Sequence, residues 1–181
     1  MTAMIDLLRT RRSIRKYTGE PLDEAAIELL SEALVRAPSS MSRNPWELVL
    51  VDDRESLERL SRAKPHGSSF VKGAALAVVV LADEARCDVW VEDCSIASLL
   101  VHLQAHAMGL GSCWVQIRKR PHDDDLDAEA YVRGVVGAPD HLRVLSIVAV
   151  GHPAEDKAGH ERESLPWTKV RRGRYGEDQG D

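Results

Sequence analysis

The sequence predicts an α+β domain, and three observations lead there. Helical and strand-like segments alternate in irregular order, not as the regular βαβ series of a doubly wound fold. The strand-like runs are few and short, so the sheet they form is small. No strand is followed by the GxGxxG of a dinucleotide fold, and no GxxxxGK[ST] phosphate loop occurs.

Taken in order, Met4, Ile5, Leu7 and Leu8 give a short helical stripe that runs into a basic stretch. Pro21-Leu22-Asp23 reads as a helix start, with Ile27, Leu30, Ala33 and Leu34 as the apolar face and Pro38 as the stop. Trp46 to Val51 reads as a strand, and Arg54 to Ala63 as a short helix with Leu57 and Leu60 inward. Ala74 to Leu81 is Val-rich and apolar throughout, as befits a strand covered on both faces. From about Ala85 to Met108 there is neither Pro nor Gly, which predicts a long helix stopped by Gly109. Its second half, from Ile96, is apolar nearly all round, and such a helix is expected to be buried on every side. In so small a domain a second subunit is the expected cover for part of it. Ser112 to Ile117 reads as a strand, Asp125 to Val136 as a helix ended by Gly137 and Pro139, and Leu142 to Val150 as the last core strand. From Ala154 the chain is polar, with Trp167 and Tyr175 as isolated anchors, and reads as an arm lying on the partner's surface.

At 181 residues, with 44% apolar and 29% charged residues, the chain has the profile of one folded domain with a real core. Without repeats, linkers or low-complexity segments, residues 1–181 read as a single domain that includes the arm from about residue 154. No apolar run approaches the roughly 20 residues that span a bilayer. Met1 to Leu8 contains Asp6 and no cleavage site, and Cys87, Cys94 and Cys113 show no disulfide-like number or CxxC spacing. These features predict a cytoplasmic protein in a reducing compartment, with no membrane partner. A net charge of −5 argues against a nucleic-acid partner. The basic residues are nevertheless clustered: Arg9, Arg11, Arg12, Arg15 and Lys16 near one end, Lys169, Arg171, Arg172 and Arg174 near the other. Such clusters suit either a solvated surface or a local anion such as a phosphate.

Three segments carry chemistry. Arg11-Arg12-Ser13-Ile14-Arg15 packs three guanidinium forks and a hydroxyl into five residues, a donor set matched to phosphate oxygens. Ala37 to Trp46 (APSSMSRNPW) is a helix exit rich in small polar residues, which offers hydrogen-bond groups to the edge of a planar heterocycle. Gly109-Leu110-Gly111-Ser112-Cys113-Trp114 places two glycines where backbone could approach a flat ligand. Each segment alone also reads as ordinary surface or connection.

Together these blocks resemble the nitroreductase family of FMN-dependent oxidoreductases. RRSIRKY (11–17), APSSMSRNPWELVLV (37–51), AALAVVVLAD (74–83), EDCSIASLL (92–100), AHAMGLGSCWVQI (105–117) and TKVRRGRY (168–175) occur in the family's order and spacing over nearly the whole chain. The resemblance implies a central, mostly antiparallel sheet flanked by helices in an intertwined homodimer. It also implies FMN as cofactor and NADH or NADPH as electron donor. On it, Arg11, Arg12, Ser13 and Arg15 match the positions that hold the FMN phosphate and ring edge, and Lys169 and Arg171 the C-terminal basic pair that closes on the phosphate. Pro38, Ser39, Ser40, Met41 and Asn44 match the loop that the other subunit contributes to the flavin. Trp114, Val115, Gln116 and Ile117 match the strand beside the isoalloxazine, where a backbone N–H bonds flavin N5. Lys64 and His66 lie where the family often contacts the pyrimidine side of the ring. Where the family loop often carries Asn and Gln, this chain has Ser42 and Asn44, a change that bears on substrate selection. The extra helices of larger members are absent, which marks a compact member.

The expected activity is ping-pong transfer of electrons from NAD(P)H to a small acceptor such as a nitroaromatic or quinone. The alternatives are other flavin chemistry (reductive dehalogenation, dehydrogenation, flavin breakdown) and FMN binding without turnover. The cofactor carries this chemistry, and no side chain stands out as nucleophile or general base. His102 and His106, four apart, have the spacing of paired metal ligands, but no acidic residue lies between them as in HExxH, so a structural role is expected and no metal. Pro121-His122-Asp123-Asp124-Asp125 reads as a loop leading into a helix cap, and Cys113 as packing.

Overall fold

A computed structural model describes residues 4–175; residues 1–3 and 176–181, the two ends of the expected domain, lie outside the described residues. Five α-helices and four strands follow in the order α1 (Met4–Thr10), α2 (Glu24–Val35), β1 (Trp46–Val51), α3 (Arg54–Leu60), β2 (Leu76–Asp83), α4 (Trp90–Ala107), β3 (Gly111–Gln116), α5 (Ala128–Val136) and β4 (Leu142–Gly151). The strands form one sheet in the order β1-β2-β4-β3, every neighbouring pair antiparallel. This is the α+β architecture that the sequence predicts.

Strand alternation sends successive side chains to opposite faces, and β2 is apolar on both. Leu76, Val78 and Val80 join Leu30 and Leu34 of α2 and Ala97, Val101 and Ala105 of α4 in one core. Ala77, Val79 and Leu81 join Leu57 and Leu60 of α3 and Ala128 and Val132 of α5 in the other. The sheet is therefore sandwiched between two helix pairs.

Aspartates set the helix starts. Asp23, Asp53 and Asp127 each accept a main-chain N–H of the first turn, at 2.7 Å from Ala26, 2.8 Å from Ser56 and 2.7 Å from Ala130. Two helices begin later than their sequence suggests, because an aspartate first caps a turn. The Asp83 carboxylate accepts the Ala85 N–H at 3.0 Å, so residues 85–89 turn before α4 begins at Trp90. Asp123 does the same for Asp125 and Leu126 ahead of α5.

Within one chain α4 is buried on part of its circumference, which leaves uncovered the part expected to need a second subunit. Its sheet-facing side is covered, but Ile96 is 37% and Leu99 48% exposed, since α2 and the sheet reach only part of its circumference. The arm differs from expectation over its first part, which folds back on its own chain. The Ala154 N–H donates to the Lys16 carbonyl, a Cβ at Gly159 would collide with the Arg9 carbonyl, and Leu165 and Trp167 line one open cavity with Ile5 and Leu8 of α1. α1 is only two turns long and buries none of its own residues, and its apolar side faces this cavity. Trp167 donates its indole N–H to the Arg162 carbonyl of the arm itself, and Tyr175 is 93% exposed.

Candidate functional site

The basic segment Arg11–Arg15 is extended and held on both sides. On one side Ser13 bridges Ser112 of β3 in parallel, and the Ile14 N–H donates to the Ser112 carbonyl at 3.0 Å. Gly111 makes this approach possible, because a Cβ there would stand 2.7 Å from the Ile14 side chain. The missing side chain of Gly111 thus admits Ile14 rather than a flat ligand, and Gly109, in the left-handed region with φ of 75°, follows the end of α4. On the other side the Thr18 N–H donates to the His152 carbonyl. Beyond it, side chains take over. The Arg15 N–H donates to Glu155 Oε1 at 2.6 Å, and Lys157 Nζ donates to the Ser13 carbonyl at 3.0 Å and to Glu155 Oε1 at 2.9 Å. These contacts hold the Glu155 carboxyl well below its usual range, at about 2.

Extended geometry divides the segment by parity. Arg12 and Ile14 serve the fold: Ile14 is buried under β3, and the Arg12 guanidinium donates to the Ala158 carbonyl of the arm. Arg11, Ser13 and Arg15 converge on Cys113. Burial pushes the Cys113 thiol up, while the charges of Arg15, Lys157 and Arg11 and a hydrogen bond with Ser13 pull the other way. The Arg15 guanidinium also lies 5.8 Å from the Phe70 ring centroid. Lys64, lowered by burial and by Arg120, shares this field through Cys113, and its carbonyl accepts the Ser68 hydroxyl. His66 is exposed in the same loop.

The two histidines of α4 close the back of this cluster. His102 Nδ1 lies 2.7 Å from Ser112 Oγ, and His106 Nε2 lies 2.7 Å from Thr10 Oγ1. Burial, and secondarily the Arg11 guanidinium, pushes His102 down to about 4 and lowers His106 as well. Among the described residues no group of three or more His, Cys, Asp and Glu side chains is arranged to hold a metal.

β3 is an edge strand beyond its contact with Ser13 and Ile14. The Ser112 carbonyl points outward to Ile14, and the Ile117 N–H points inward to the Leu145 carbonyl. By alternation Trp114 and Gln116 turn their main-chain groups to the open edge, whereas Val115 and Ile117 turn theirs to β4 and their side chains into the core. The Gln116 side chain is fixed at both ends: Oε1 accepts the Trp114 indole N–H and Nε2 donates to the Arg118 carbonyl, each at 3.0 Å.

The loop after α2 is built differently. Met41, Ser42 and Asn44 all have positive φ, between 46° and 54°, without being glycine. Ser39 Oγ bonds both Asn44 Oδ1 and the Asn44 N–H, and the Ser40 N–H donates to Asp93 Oδ1 at 3.0 Å. Pro38, at its start, and Met41, Ser42, Arg43 and Asn44 are exposed, Met41 to 81%. Asp93 and His102 belong to one helix, so this loop and the Arg11 cluster attach about 14 Å apart along its axis. Lys169 and Arg171 ride on the exposed arm; the Lys169 N–H donates to the Pro166 carbonyl, and the Arg171 guanidinium to the Val170 carbonyl.

The structure thus brings Arg11, Ser13 and Arg15 together beside the β3 edge, turns the Arg12 side chain the other way, toward Ala158, and attaches the loop at 38–44 and the arm residues elsewhere. Glu155, Lys157 and Asp93 escaped the sequence reading. Each meets its partner across more than fifty residues of chain, and no local pattern marks them.

Comparison with known proteins bears on what this arrangement is for. The family model described as "Nitroreductase family" matches residues 8–65 and 62–152. A curated protein of Methanothermobacter thermautotrophicus with the provisional name NADH dehydrogenase/NAD(P)H nitroreductase is 34% identical over 156 residues, covering 84% of this chain and 78% of its own. The FMN reductase [NAD(P)H] of Bacillus subtilis is 25% identical, over 90% of this chain and 70% of its own. Among solved structures, an FMN-dependent nitroreductase from Clostridium difficile R20291 superposes with a TM-score of 0.93 at 39% identity, covering 95% of this chain and all of the other.

Proposed function

This chain belongs to the nitroreductase family, and on that premise we propose that it binds FMN and passes electrons from NADH or NADPH, in ping-pong fashion, to a small acceptor such as a nitroaromatic or a quinone. The observation that carries the reading is the convergence of Arg11, Ser13 and Arg15 beside the open edge of β3. Two guanidinium forks and a hydroxyl on a segment whose main chain is already fixed suit a terminal phosphate. The outward N–H groups of Trp114 and Gln116 suit the polar edge of a planar ring. Bound there, FMN supplies the hydride chemistry.

The protein's own part is to bind, orient and supply charge. Arg11 and Arg15 hold the anionic end, and Glu155 and Lys157 keep the strand that carries them from drifting. Lys64, whose charge is felt by Cys113, supplies positive charge to the ring, where negative charge develops during reduction. The exposed Ile96 and Leu99 between the two ends of α4 suit a second copy of this chain, which brings its Pro38–Asn44 loop to the site. Lys169 and Arg171 close from the arm.

The test is the visible spectrum of freshly purified protein, followed by anaerobic addition of NADH or NADPH. Bound yellow flavin, released by heat as FMN and bleached by the nicotinamide, is the expected result. A colourless protein that also takes up no added FMN overturns the reading. Flavin that binds but is not bleached leaves an FMN-binding protein without this turnover.

A further inference from the structure

Asp93 is a carboxylate that the proposed chemistry does not use, yet it is only 4% exposed and fully engaged. It stands in the first turn of α4, where the helix dipole favours a negative charge and where Val89, the capping residue, offers no side-chain bond. Its Oδ1 accepts the Ser40 N–H at 3.0 Å, and its Oδ2 accepts the Cys87 thiol at 3.4 Å. Ser40 opens the short 3-10 turn Ser40–Ser42, whose first N–H groups have no partner within the turn. Asp93 therefore caps from another element the one turn in which Met41 and Ser42 adopt left-handed backbone. Cys87 lies in the turn that precedes α4, so a single carboxylate ties the loop, that turn and the helix together.

We propose that Asp93 is a positioning residue, whose buried carboxylate holds the Ser39–Asn44 loop in the shape in which it meets the flavin of a second copy of this chain. This inference rests on the FMN reading above. The loop's other ties are internal, between Ser39 and Asn44, or exposed, between Arg43 and Asp88 at 3.4 Å. An exposed pair of that kind holds little. Asp93 is the loop's buried attachment, and removing its acceptor frees the loop while the Arg11–Arg15 segment keeps all its own bonds.

The experiment titrates FMN into flavin-stripped full-length protein by fluorescence quenching. Asp93→Ala is expected to weaken FMN binding roughly ten- to a hundredfold. Asp93→Asn, whose carbonyl oxygen still accepts the Ser40 N–H, is expected to recover most of it. A purely structural role is separated by mixed dimers of the Asp93→Ala chain with an Arg11→Ala/Arg15→Ala chain. If Asp93 acts through a loop used by the other subunit, one site per mixed dimer combines an intact cradle with an intact loop and binds FMN as the wild type does. If Asp93 acts only on its own chain's cradle, no such site forms and the proposal is overturned. Wild-type affinity in Asp93→Ala overturns it equally. Should Asp93→Ala not fold, Ser40→Pro removes the same bond from the loop side; Ser39, extended at φ −139° and ψ 157°, tolerates a following proline. Wild-type protein that takes up no FMN overturns the flavin reading and this inference with it; wild-type protein that binds FMN while the mixed dimer does not overturns this inference alone.

Discussion

The Arg11–Arg15 segment and the Ser39–Asn44 loop, the two halves of the proposed FMN site, are built on opposite principles. The segment has ordinary backbone and is hydrogen-bonded on both sides by its own chain, to Ser112 on one side and to Glu155 and Lys157 on the other. The loop contains three of the four positive-φ non-glycine residues among those described and exposes most of its side chains. Left-handed residues of this kind cost on the order of 1–3 kcal/mol each and persist only where surrounding structure enforces them. The difference teaches that one half of the site is preorganised at home, while the other is held under strain for display outward.

The largest expected effect comes from the preorganised half. Arg11→Ala with Arg15→Ala removes two charged donors, each worth roughly 1.5–3 kcal/mol, so FMN affinity falls by about two to four orders of magnitude. Because the strand's main-chain bonds remain, the melting temperature stays near wild type. Equilibrium dialysis with FMN checks this. Full flavin occupancy in the double variant breaks the comparison, because the fixed strand is then not the phosphate-holding half.

Acid sharpens the comparison next. His102 titrates at about 4 in the folded protein and near 6.5 when exposed, so the unfolded chain binds its proton first. Its contribution is complete above about pH 6.5 and is lost as pH falls toward 4, on the order of 3 kcal/mol in all. His102 packs on Ser112 behind the Arg11 segment, so acid loosens the preorganised half. Denaturant melts between pH 7 and 4 measure the slope, and His102→Asn, which keeps a partner for Ser112, flattens it. A wild-type slope in that variant assigns the acid sensitivity elsewhere.

Much of this was legible in the sequence, and what was not has a common cause. The four strands lie within two residues of where the sequence places them, and β2 is the plainest, because a strand buried on both faces leaves no room for polar residues along residues 76–82. The aspartate before α2 and the glycine after α4 act as local signals that local bonds realise. The start of α4 was misplaced because Asp83 caps a turn that no residue-level preference distinguishes from helix. The parity that takes Arg12 out of the cluster depends on Ser13 bridging Ser112, a contact across the fold. Glu155, Lys157 and Asp93 are ordinary charged residues in sequence and become specific only through main-chain groups they meet in three dimensions.

The smallest expected effect probes the strained half directly. Ser42 has φ of 54° and an exposed side chain, so Ser42→Gly relieves the left-handed penalty and deletes little packing. Glycine's extra freedom in the unfolded chain offsets part of the gain, which leaves a net stabilisation of at most about 1 kcal/mol. For a chain of this size that raises the melting temperature by roughly 2–4 °C. The same freedom lets the loop sample other shapes, so FMN affinity falls a few-fold while the fold gains. Stability and affinity moving in opposite directions is the signature of strain held for function, and calorimetry alongside the FMN titration reads both. If stability falls or stays level, the loop stores no strain and the contrast with the Arg11–Arg15 segment reduces to exposure alone.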